Sequence, residues 1–153
     1  MSATNSLVGS SNNDAVGYER VTQLSNGNYV VSSPKWNNGG IVGAGAVTWV
    51  NGATGIVGVV SSTNSLVGSS NNDSVGYGRV TALYTGNYVV SSPLWDNGVM
   101  VNVGAVTWGN GATGIVGVVG AANSLVGSSP DDLVGNGYVT ALYTGNYVVS
   151  SSL

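Results

Sequence analysis

Apolar and polar positions alternate along this chain in short bursts, each closed by Gly, Asn or Ser. In the middle of the chain the bursts are Ser65 to Gly68, Arg79 to Leu83, Tyr88 to Ser91 and Ala105 to Trp108. A period of two, in runs rich in Val, Thr, Tyr and Trp, predicts β-strands. The breaks predict turns. Thr85-Gly86-Asn87 has the composition of a hairpin loop, because Gly and Asn accept positive φ, and Asn110 to Gly114 reads as a second turn. The segment Ile115 to Val119 then offers one further short strand.

The whole pattern recurs with a register of 59 residues: Asn5, Asn64 and Asn123 open successive copies, and Tyr29, Tyr88 and Tyr147 match. The units run 5–63 and 64–122, with a partial third at 123–153, inside one repeat domain covering 1–153. A fixed period of this length marks an architecture in which one unit cannot bury its apolar face alone and must use its neighbours. Within a unit, the VTxL-to-YVVSS segment resembles the VTW-to-NSLVG segment, which suggests two related hairpins. Four short strands per unit point to an all-β repeat of four-stranded, propeller-type blades. A β-solenoid or another repeat β assembly is the alternative, since solenoid rungs of about 20 to 30 residues suit a half-unit.

Composition narrows the chemistry. Only 6% of residues are charged against 42% hydrophobic, so the chain carries enough apolar side chains to offset the entropy of ordering. Net charge is -3, and the cations Arg20, Lys35 and Arg79 are separated along the sequence. Nucleic acid is therefore not an expected partner, because phosphate-backbone binding needs clustered Lys and Arg. No apolar run reaches the roughly 20 residues of a membrane-spanning helix, so membrane insertion is not expected. The N-terminal stretch lacks the basic and apolar parts of a signal peptide.

No His and no Cys are present, which removes the commonest general base, the usual zinc ligands and the thiol nucleophile. An enzyme is not expected, nor a metal, nor any cofactor. The recurring Asp14, Asp73 and Asp132 sit in Ser-Ser-x-x-Asp runs ahead of a Gly, a turn composition in which the carboxylate bonds nearby backbone. Gly43-Ala44-Gly45 precedes a strand rather than a helix, so it is read as a tight turn and not as a phosphate cradle.

The aromatic residues carry the one candidate binding surface. Trp36 is followed by Asn37 and Asn38, and Trp95 by Asp96 and Asn97. An aromatic face beside amides and a carboxylate is what a sugar-binding loop uses, although large aromatics in repeats more often serve as packing pegs. Beyond them the loop changes from Gly40-Ile41-Val42-Gly43-Ala44 to Val99-Met100-Val101-Asn102-Val103. Val99 and Met100 are apolar for a loop tip, which suggests a contact surface.

The motifs NSLVGSSNNDSVGYGRV, YVVSSPLWDNG and GAVTW together resemble the FG-GAP repeat of integrin-alpha-type β-propellers and their bacterial relatives. Val75-Gly76 stands for the Phe-Gly step, Ser91-Ser92-Pro93 for Gly-Ala-Pro, and Gly104 to Trp108 for the last strand. Val16-Gly17, Ser32-Ser33-Pro34 and Gly45 to Trp49 do the same in the first copy. The unit also resembles repeats of bacterial filamentous-haemagglutinin-type surface proteins. The resemblance implies a structural or adhesion module of an extracellular or bacterial cell-surface parent protein. Its calcium loop does not carry over, because Tyr84-Thr85-Gly86-Asn87 contains no carboxylate.

A partial third unit, in which no counterpart of Gly104 to Trp108 follows Ser152-Leu153, raises the expectation of a homo-oligomer. In that reading two or more chains pool blades into a closed ring, with the partial unit pairing with a neighbour's Asn-Ser-Leu-Val-Gly strand. The chain would then be a fragment or engineered piece of a longer array. The alternative is a lectin-like module binding a glycan, or another surface protein, through Trp36, Trp95 and their Asn and Asp neighbours.

Overall fold

The computed structural model describes residues 2–151 and contains only strands, turns and loops among them. The first unit supplies β1 (Leu7–Val8), β2 (Arg20–Gln23), β3 (Tyr29–Ser33), β4 (Ala46–Val50) and β5 (Gly58–Val59). The second supplies β6 (Leu66–Val67), β7 (Arg79–Ala82), β8 (Tyr88–Ser92), β9 (Ala105–Gly109) and β10 (Gly117–Val118). Then follow β11 (Ser124–Val126), β12 (Val139–Ala141) and β13 (Tyr147–Val149). The protein is an all-β tandem repeat, built as several sheets that form no closed barrel among the described residues.

The sheets do not coincide with the units. The first full sheet has the order β10-β6-β4-β3-β2, and the second β11-β9-β8-β7. β2, β3 and β4 form an antiparallel meander, and the strand that pairs with β4 is β6, from the following unit, with Val47 opposite Leu66. The second sheet is closed in the same way: Val106 of β9 faces Leu125 of β11. The opening strand of a unit thus pairs with the Ala-Val-Thr-Trp strand of the unit before it, and not with the Tyr-Val-Val strand. This corrects the expectation that a blade lies within one unit.

The end of each unit returns to where it began. β10 lies parallel to β6, and β5 parallel to β1, in the same relative register. The second unit therefore leaves the outer edge of the first sheet, builds three strands of the second and comes back. Two parallel bridges, Gly45 to Val75 and Gly104 to Val134, lock the Val-Gly steps of the second and third units onto the preceding unit. Gly45 has to be Gly there: φ is +76°, and a Cβ would lie 2.1 Å from the Val75 nitrogen.

Period-two alternation explains the cores. Tyr88 and Val90 of β8 point into a cluster with Leu24, Val30, Val47 and Leu66, whereas Val89 joins Leu83 and Val106 on the opposite face. The second sheet is consequently covered on both sides, by the first sheet and by the β12–β13 hairpin. All five residues of β8 are buried, including Ser91 and Ser92. Such a strand reads as a nearly continuous run of apolar and small residues. Several buried hydroxyls find partners: Ser92 Oγ accepts the Gly76 N–H at 3.2 Å, and Thr48 Oγ1 shares a hydrogen bond with Ser65 Oγ at 2.7 Å, whereas the buried Tyr88 hydroxyl has no protein partner.

Equivalent residues of successive units also meet directly. β2 packs beside β7, and β7 beside β12. Tyr84 and Tyr143, one repeat apart, stack with ring centroids 4.6 Å apart.

Because Leu66 is fully buried across the unit boundary, Leu66→Ala is expected to cost about 2–5 kcal/mol. Leu125 is 57% exposed, and the same truncation there should fall within about 1 kcal/mol of the parent. Urea unfolding of both variants checks this; equal losses at the two positions would show that burial does not set the stability contributed by these two equivalent boundary strands.

Candidate functional site

The loops singled out from the sequence are organised around two buried carboxylates. Asp73 Oδ2 accepts the backbone N–H groups of Ser69 and Ser70, both at 2.8 Å, and its Oδ1 accepts that of Asp96 at 3.0 Å. Asp14 does the same with Ser10, Ser11 and Asn37 at 2.7, 2.8 and 3.0 Å. Each aspartate thereby ties the Ser-Ser loop after an opening strand to the Trp-bearing loop of the same unit. Asp132 accepts from Ser128 and Ser129 in a more open setting. These are the turn-forming roles that the Ser-Ser-x-x-Asp composition predicts.

Trp36 and Trp95 do not form a ligand platform. Their relative exposures are 2% and 3%; Trp95 packs into the main cluster beside Tyr88 and Val103, and Trp36 into a separate small cluster with Ala46, Val60 and Val67. The sugar-binding reading of these indoles is corrected by their burial. Neither indole N–H has a protein partner. The adjacent polar side chains are spent on their own loop: Asn37 Oδ1 accepts the Gly43 N–H at 2.9 Å, and Asp96 Oδ1 accepts that of Asn102 at 2.8 Å. Asn38 and Asn97 open tight turns, bonding Ile41 and Met100 through the backbone. Asn38 Nδ2 also reaches the Gly68 carbonyl at 3.4 Å.

The loop tip behaves differently. Val99 is 98% exposed, while Met100 folds back against the main core. The apolar tip anticipated from Val99 and Met100 is thus reduced to Val99, with Val101 half exposed behind it.

A second place went unmarked in the sequence. Arg20 and Arg79, far apart along the chain, line one cavity of about 360 Å³ together with Glu19, Tyr77 and Asn136. All three units contribute, because the cavity lies where the starts of β2 and β7 meet the third unit. The two arginines stand one repeat apart, and that coincidence in a chain with only three cations was the signal available. The Arg79 guanidinium sits 5.9 Å from the centre of the Tyr138 ring. Arg79 also has φ +135°, a backbone region that L side chains rarely adopt. Among the described residues there is no cluster of three or more acidic, His or Cys side chains placed to hold a metal ion.

The repeat is a family trait. A family described as a repeat of unknown function, DUF5650, matches residues 1–18, 23–77 and 82–136. The chain belongs to the DUF5650 family. The two long matches begin at the end of β2 and β7 and run through the next opening strand, so the family's unit follows the sheets more closely than the register starting at Asn5 does. No curated protein and no solved structure matches the chain.

The carboxylates give a test with opposite signs. Burial is the largest influence on Asp73 and pushes its pKa above the ordinary 3.8, outweighing the N–H groups of Ser70, Asp96 and Ser69. In the window just above 3.8 the native state then holds a proton that the unfolded chain has released, so Asp73's contribution to stability falls as pH rises. For Asp132 the Ser128 and Ser129 N–H groups dominate and pull the pKa below 3.8, so its contribution is lost as pH falls through that lower value. Carboxyl-carbon NMR titration should place the Asp73 midpoint above 3.8 and that of Asp132 below it, and a reversed order would refute the assignment. Asp73→Asn orphans at least one buried donor and should cost about 1–3 kcal/mol in urea unfolding.

Proposed function

We propose that this chain is a non-enzymatic structural module of an adhesion-type repeat array, in which propeller-like blades of one copy assemble with those of another. One observation carries the reading: each sheet is completed by a strand from the next unit, as β6 completes β2–β3–β4. A module built in this way is made to continue, and its stability resides in the joints between units.

Three features support the blade reading. Each full sheet contains an antiparallel meander of three strands flanked by an antiparallel fourth, to which the first sheet adds β10 in parallel. The first strands of successive sheets, β2, β7 and β12, lie side by side. The segments that carry the FG-GAP resemblance interlock in space, since the Gly76 N–H bonds Ser92 Oγ and the Val75 N–H bonds the Ala44 carbonyl at 3.1 Å.

Assembly between copies has a physical motive. Unpaired strand edges template further pairing, and the β5 and β10 edges carry exposed Val57, Val59, Val116 and Val118. An extracellular or cell-surface parent protein suits a repeat β array of this kind.

Light scattering coupled to size exclusion tests the proposal. The expected result is a mass that is a multiple of the 15.2 kDa chain, and a mass of one chain at every concentration would end the assembly reading. Tryptophan fluorescence should not respond to common neutral sugars at Trp36 or Trp95, since both indoles are buried.

A further inference from the structure

The cavity between the units has the makings of a binding site that a purely structural module does not require. Its volume of about 360 Å³ lies within the roughly 300–1,000 Å³ of small-molecule pockets. Two of the three cations of an acidic chain line it, against a single lining carboxylate, Glu19. Among the described residues neither guanidinium has a carboxylate partner within ion-pairing distance. Guanidinium groups left without such partners beside a concave wall are suited to oxyanions, which they bind by paired, charge-assisted hydrogen bonds.

The rest of the wall is chemically mixed. Tyr77 is 55% exposed and offers an aromatic face, and Asn136 and Ser32 add neutral polar groups. The Tyr138 ring stands just outside the cavity, its centre 5.9 Å from the Arg79 guanidinium, within reach of a weak cation–π contact. The strained φ of Arg79 falls at the same wall, and strain retained at one residue is a recurrent mark of a functional position.

We infer that this cavity binds a compact ring-bearing ligand with one carboxylate- or phosphate-type oxyanion, held by Arg20 and Arg79 with the ring against Tyr77. The site exists only where units adjoin, because Arg20 comes from the first unit, Tyr77 and Arg79 from the second and Asn136 from the third. Binding should therefore report on the integrity of the array as well as on the ligand.

Amide NMR titration of the full chain with glucuronate, glucose 6-phosphate and glucose tests this with one ring and three head groups. The expected result is saturable shifts around Gly76 to Val80 for at least one anionic sugar, with a dissociation constant at or below the millimolar range, and none for glucose. Saturation by glucuronate alone assigns a carboxylate, and by glucose 6-phosphate alone a phosphate. Arg79→Gly removes the guanidinium and relieves the backbone, so it should weaken binding about tenfold or more while leaving the thermal midpoint unchanged or raised. Arg20→Ala should weaken binding similarly. No saturation by either anion at about 20 mM, equal binding of glucose, or unchanged affinity in the double variant would overturn the inference. The oligomer mass is read separately, so this result and the assembly result stand apart.

Discussion

The pairing of β4 with β6 is the constraint on which the rest of the structure depends. A three-stranded meander such as β2–β3–β4 has one edge ending at Ala46 to Val50, whose residues are almost all buried. Those backbone groups need partners, and Leu66 and Val67 supply them from the next unit. Once that strand is in place, Asp73 gathers the loop behind it, and Val75 docks on the preceding unit at Gly45. Backbone pairing, loop closure and core formation are therefore one event spread over two units, rather than three separable contributions.

The same constraint explains the uneven burial along the chain. Where a sheet has neighbours on both faces, as that of β8 does, five successive residues are buried, and Ser92 among them acts as an internal hydrogen-bond partner. β13 carries the related sequence Tyr147–Val149, yet its residues are only partly covered. Identical letters thus take different environments. Asp73 and Asp132 show the electrostatic counterpart, with one carboxyl raised by burial and the other lowered by N–H donors in the open.

Much of the local structure was legible from the sequence because it is set by local rules. Alternation placed β7, β8 and β9 within a residue of their observed bounds, and Gly-Asn chemistry placed the turn at Gly86, where φ is +86°. Strand partnership was not legible in the same way, since nothing in Leu66 or Val67 says whether they pair forward or back. The Trp loops left two readings open in the sequence for a related reason: Trp95 beside Asp96 has a binding composition as well as that of a packing peg, and only the Asp96 N–H bond to the buried Asp73 and the burial of the indole decide for packing. Arg20 and Arg79 were overlooked as a pair because distance along the chain hid a proximity that only the repeat register creates.

That each sheet straddles two units has an evolutionary consequence. A genetic duplication does not need to respect the edges of a folded piece, because the repeating segment has no privileged starting point. A cassette cut from Asn5 and one cut from Gln23 specify the same succession of sheets when copied in tandem. Lengthening such a gene by unequal crossing-over is then tolerant of where the exchange occurs, provided the step is one full period.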